Sequence, residues 1–140
     1  MCFIKKIFLT NCLEGECNEI TEILNRDIIV YKIVIKRRLF PFFKNSYFSP
    51  YYDYKYKKKK VNTSPLQIGF GKGDEYLNIV VENGFHSFRT IKDLKKSVLW
   101  FSDYAIAKFI IPKGSVVIIN NTQIVSDKII FYKEVNSHND

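Results

Sequence analysis

The chain has 140 residues, of which 46% are hydrophobic and 26% charged, and a formal net charge of +8. That length fits one domain able to bury a core without metal or disulfide staples, and the apolar content excludes global disorder. No apolar run approaches the roughly 18 residues of a membrane-spanning helix, and Ile7-Phe8-Leu9 is too short for the apolar part of a secretion signal.

Cys2 to Thr10 is short, apolar and β-rich apart from its lysines, and reads as a first strand. Asn18 to Arg26 sets Ile20, Ile23 and Leu24 at helical spacing, which predicts two turns of helix. Asp27 to Lys36 is the clearest strand of the first half, rich in β-branched residues, with Lys32 and Lys36 expected to alternate toward solvent. Beyond it, Pro41 and Pro50 rule out a continuous central strand. Tyr52, Tyr54 and Tyr56 alternating with Asp53, Lys55 and Lys57 suit an edge strand or hairpin arm. Val61 to Asp74 is turn-rich around a short strand at Leu66 to Phe70, and Tyr76 to Val81 is a further strand.

An Asn83-Gly84 turn leads into Phe85-His86-Ser87-Phe88, whose alternation predicts a strand with one buried face. Thr90, with Asp93 three residues on, is an N-cap for a helix whose apolar side holds Ile91, Leu94, Val98 and Leu99. Ala105, Ala107, Phe109 and Ile111 then fall on one face of a strand stopped by Pro112, and Lys113-Gly114 makes a turn. Val116 to Ile119 and Lys128 to Val135 are the last strands, with a reversal at Asn120-Asn121. The expected fold class is α+β, a mainly antiparallel sheet of about five to seven strands with one or two short helices. Residues 27–135 would form the domain, 1–26 an N-terminal arm suited to oligomerisation, and 136–140 a polar tail.

The charge is concentrated. Tyr31 to Lys60 holds ten basic residues against Asp53 alone, a net +9, so the rest of the chain sums to −1. A local positive field points to an anionic partner more specifically than a uniformly basic surface does. Ten of the 22 aromatics share this stretch, and cations beside aromatic faces suit the phosphates and bases of a nucleotide or oligonucleotide. The competing reading is core-facing aromatics with lysines that keep an edge strand from pairing with other chains.

The candidate ligand-binding residues are Arg37, Arg38 and Lys55 for charge, Tyr51, Tyr52 and Tyr54 for stacking, and Phe85 and His86 from the second segment. Lys113 joins them, because its turn could offer amides to an anion. His86 equally suits a hydrogen-bonded position at a sheet margin, and Ser87 cannot complete a triad with it, because neighbours on a strand point to opposite faces. GFGKGD, at Gly69 to Asp74, has neither the Walker spacing nor a following helix. Cys2, Cys12 and Cys17, with only His86 and His138 as histidines, do not make a tetrahedral zinc site, so no metal, cofactor or catalytic set is expected.

The succession of SPYYDY (Ser49 to Tyr54), GFHSF, IPKGS and IVSDKIIFYKEV resembles small accessory proteins of bacteriophages and mobile elements, over roughly Asp27 to Val135. The resemblance implies a cytoplasmic protein that binds something in a host bacterial cell. Such proteins include phage anti-defence proteins that sequester immune signalling nucleotides, are often oligomeric and carry a basic, aromatic pocket. The expected function is therefore a non-catalytic module that captures a phosphate-bearing nucleotide in a concave pocket, away from membranes, with a homo-oligomer possible. The first alternative is a single-stranded nucleic-acid binder. An ADP-ribosyl-transfer-like enzyme built on His86 and Glu134, or a structural or virion protein, are the others.

Overall fold

The structure, a computed structural model, describes residues 8–12, 22–39, 44–50, 54–72, 77–96, 104–119 and 122–135. In chain order these form β1 (Phe8–Cys12), β2 (Glu22–Ile23), β3 (Ile28–Leu39), β4 (Lys44–Phe48), β5 (Val61–Thr63), β6 (Gln67–Lys72), β7 (Leu77–Asn83) and β8 (Phe85–Phe88). The helix α1 (Ile91–Lys96) follows, then β9 (Tyr104–Ile111), β10 (Val116–Ile119), β11 (Gln123–Ser126) and β12 (Lys128–Val135). β1, β7 and β6 make a small antiparallel sheet. The other nine strands make one sheet in the order β2-β10-β11-β8-β3-β9-β12-β5, with β4 paired to the far half of β3. The mainly antiparallel architecture is as expected, but the count of five to seven strands is too low. β2 and β5 are two and three residues long and β4 has no clear alternation, so no periodic signal announces them. Among the described residues α1 is the one helix, and none is long and apolar enough to cross a membrane.

β3 is the axis of the main sheet. It pairs with β9 from Ile28 to Ile35, touches β8 at Tyr31, and pairs with β4 from Ile35 to Leu39. One face of the sheet buries Val30, Val34, Ala107, Phe109, Ile111 and Phe131 with Phe85 and Tyr56. The other buries Ile33, Phe88, Ile106 and Val135 under Leu94 of α1. Ala105, Ala107, Phe109 and Ile111 do share one core face, as their spacing requires. β8, by contrast, is buried at all four positions, not on one face, because it lies inside the sheet between β11 and β3 with both of its faces covered.

Three local features explain how the chain reaches this arrangement. Gly84, at φ +115°, is the single residue between β7 in the small sheet and β8 in the large one. A side chain there would sit 2.6 Å from Leu66 Cδ2 and 2.7 Å from Val125 Cγ1. α1 begins as its sequence indicates, with Thr90 Oγ1 accepting from the Asp93 amide (3.1 Å) and donating to Asp93 Oδ2 (2.9 Å). The described part of the expected Asn18–Arg26 helix is instead strand and bend. Leu24 donates its amide to the Ser115 carbonyl (3.0 Å) and accepts from Gly114 (2.9 Å), and these bonds, with burial of its side chain, outweigh the weak preference of so short a helix.

Candidate functional site

The basic segment folds into a ribbon. β4 lies between the far half of β3 and residues 54–58: Tyr56 donates its amide to the Tyr47 carbonyl (2.9 Å), Ser49 donates to Tyr54 (2.9 Å), and Lys55 bridges to Phe48. Pairing fixes which side chains meet. Ile35 and Lys55 flank Phe48 across the ladder, and Arg37, two residues on from Ile35, sets its guanidinium 5.5 Å from the centre of the half-buried Phe48 ring. The outward face of the ribbon thus sets an aromatic ring between two exposed cations, a pre-arranged cation–π contact that leaves guanidinium donors for a ligand.

The inward face is quieter electrically. Lys36 pairs with Glu134 (3.0 Å), and the Tyr47 hydroxyl donates to the same carboxylate (3.1 Å). Burial, and then the Glu134 charge and hydrogen bond, push the Tyr47 phenol up to about 12. Lys58 donates to the Asn45 carbonyl and stands 5.2 Å from the Tyr47 ring centre.

The lysine run is held in place. Asn62 is buried in the middle of β5, where its Oδ1 accepts from the Lys57 amide (2.9 Å) and the Tyr54 hydroxyl (3.1 Å). Its Nδ2 donates to the carbonyls of Lys57, Lys60 and Ile129 (3.1, 3.2 and 3.2 Å). Lys59 adopts φ +56° within this loop, so Lys57 to Lys60 form a pinned, exposed turn.

The expected site residues divide into three groups. Arg37, Arg38 and Lys55 are exposed on the ribbon, and the structure brings Arg37 and Lys55 together around Phe48. Tyr51 and Tyr52 lie outside the described residues. Tyr54 and Phe85 do meet, but at the core: half-buried Tyr54 packs edge-on against Phe85 (5.8 Å) and Tyr56 (5.3 Å), Phe85 is wholly buried, and His86, its neighbour on β8, points to the opposite face of the sheet. Burial also raises the Tyr54 phenol above its usual range. Lys113 is exposed, but its turn has no amide to offer an anion. Lys113 N donates to Asp27 Oδ1 (2.8 Å), Gly114 N to Leu24 and Ser115 N to Pro112 (3.1 Å).

His86 is 4% exposed, and among the described residues neither ring nitrogen has a hydrogen-bond partner, so it is not the bonded sheet-margin histidine of the competing reading. Burial, and then the Lys32 ammonium, lower its pKa to about 3. Lys32 itself overturns the expectation that it faces solvent. It is 1% exposed among Val30 and Val34, and its ammonium donates to the His86 carbonyl, where β3 and β8 share only the Tyr31–Phe88 ladder position. A buried, neutral imidazole is poorly placed to bind a phosphate.

Phe48 is the residue that sequence reasoning missed. Its signal was present but weak, an aromatic opposite Lys55 once a hairpin is drawn through Ser49-Pro50. Among the described residues, no three His, Cys, Asp or Glu side chains gather as metal donors. Comparison of the chain with protein-family models, curated proteins and solved structures found no match.

Proposed function

We propose that the chain is a non-catalytic binding module for phosphate-bearing ligands, and that single-stranded nucleic acid is the ligand it takes. The observation that carries this reading is the outward face of the ribbon, where Arg37 and Lys55 flank Phe48 and the pinned Lys57–Lys60 turn extends the charge. Cations spread over separate chain segments neutralise successive phosphates, and a half-exposed aromatic beside them gives a base something to stack against. Phe85 and His86, expected to line a nucleotide pocket, are buried, which favours a strand over a captured nucleotide. A signalling nucleotide of a bacterial immune system, held by the same cations, is the smaller case of the same chemistry.

Fluorescence anisotropy with oligothymidylates of increasing length, beside linear and cyclic nucleotides, tests the reading. With about four phosphates neutralised, log K falls against log salt with a slope of about −3, so a fourfold rise in salt weakens binding about fiftyfold. The pair Arg37→Glu and Lys55→Glu abolishes binding and leaves Tm nearly unchanged, because both side chains are exposed. Equal affinity for a nucleotide and the longest strand, insensitive to salt, refutes the strand reading. Full binding by the double variant refutes the site.

A further inference from the structure

On the face of the main sheet that carries α1, four aliphatic side chains stand abreast across four strands. Ile29 of β3 is opposite Ile110 of β9, Ile110 is opposite Ile130 of β12, and Ile130 is opposite Val61 of β5. Ladder partners share a face, so these form one row, about 14 Å long at three strand spacings. Ile29 is 53% exposed and Val61 45%, and the two between them are half-buried. A sheet face of this composition is ordinarily covered by another layer. α1 covers only the neighbouring part of the same face, where Ile91 and Leu94 pack with Ile33, Phe88, Ile106 and Val135. With six residues it is only about 9 Å long.

Cations surround the row. Lys108 lies opposite both Tyr31 and Lys133 and stands 5.9 Å from the Tyr31 ring centre. Lys133 is 5.8 Å from the ring of exposed Tyr132, and Lys128 lies opposite Thr63, two residues along β12 from Ile130. Of the nearby carboxylates, Asp27 is turned to the Lys113 amide, and Asp127 stands 3.9 Å from the Lys128 ammonium, which leaves Lys108 and Lys133 as the cations that set the charge beside the row. A groove of about 490 Å³ along α1 repeats the combination, lined by Ile91, Lys92, Lys95 and Lys96.

We infer that this face is a docking surface for an acidic amphipathic helix of a partner protein, laid beside α1 on the aliphatic row. The face already accepts one helix through the same kind of aliphatic contact. The charge selects the occupant: a leucine stripe flanked by glutamates fills the row and meets the lysines. A second copy stacked about a two-fold axis would set the lysine rims against each other. This surface shares no residue with the Arg37–Phe48–Lys55 site, so either can fail alone.

The test uses a fluorescein-labelled helical peptide with a leucine stripe and glutamate flanks, and its lysine counterpart, titrated by anisotropy against the full chain. The glutamate peptide binds and the lysine peptide does not. Ile29→Glu with Val61→Glu weakens the glutamate peptide at least about tenfold. Ile29→Ser with Val61→Ser, which removes apolar surface without adding charge, weakens it in the same direction, with circular dichroism confirming an unchanged fold. Absence of binding, binding of the lysine peptide, or equal affinity for the serine variant overturns the inference. So does a dimer in sedimentation, or adsorption to phosphatidylserine vesicles, that the serine variant abolishes, because the face then belongs to a second copy or a lipid surface.

Discussion

Acidification acts on this fold through His86. Its pKa is about 3 in the folded protein against 6.5 for the free side chain, so the folded-state value is the depressed one. Above pH 6.5 both states are neutral and the full stability is present. As the pH falls, the unfolded chain takes up a proton that the native one refuses, and stability is lost until the pH passes the folded value. Each pH unit in that window costs about 1.4 kcal/mol, which is about 2 kcal/mol between pH 6.5 and 5 and about 5 kcal/mol in all. Set against a typical domain stability of about 5–15 kcal/mol, this is a large share. The physical origin is the burial of the imidazole, to which protonation would add a second cation in a core that already holds the Lys32 ammonium. Urea unfolding at pH 7, 6 and 5, on wild type and on His86→Leu, measures it. The variant keeps His138 and every carboxylate, so the difference in slope between the two proteins isolates His86. Parallel slopes between pH 6.5 and 5 would refute the reasoning, because His86 would then accept its proton in the folded state at no cost.

Other substitutions probe the scaffold. Gly84→Ala places a methyl group against Leu66 and Val125 at a backbone conformation that alanine avoids, and lowers stability by at least about 2 kcal/mol in urea unfolding. Asn62→Ala leaves the Lys57 and Lys60 carbonyls and the Lys57 amide without their partner. It costs about 2–3 kcal/mol and also weakens oligonucleotide binding, because the lysine turn is no longer held. Phe109→Ala removes the ring that meets both Tyr56 (5.0 Å) and Phe131 (5.2 Å) and costs about 3–5 kcal/mol, with no specific effect on binding in whatever fraction stays folded.

Much of the local structure was legible because the signals are short-range. The β-branched run of β3, the Thr90–Asp93 cap, the Asn83-Gly84 corner and the Pro112 stop each depend on residues within a turn or a strand of one another, and each appears in the structure, although β3 continues past Lys36 to Leu39 because β4 pairs with its far half. The +9 stretch was equally plain, and it marks the ribbon that carries Arg37 and Lys55. The strand count failed where strands are too short to have a period, as in β2 and β5, which exist only because β10 and β12 offer them a ladder.

By itself, then, the sequence determined which residues share a face, where the chain turns and where the positive charge collects. Alternation says that Val30, Lys32 and Val34 point the same way, but it does not say whether that way is water or core. Only the tertiary structure decided that Lys32 is buried against the His86 carbonyl, and that half-buried Tyr54 packs on Phe85 at the edge of the core. It also brought Phe48 between Arg37 and Lys55, and left Ile29, Ile110, Ile130 and Val61 as an open row. The reason is that burial is a property of what the other strands cover. Strands more than twenty residues apart in the chain, such as β3 and β9, are set side by side by the whole sheet and by no local pattern.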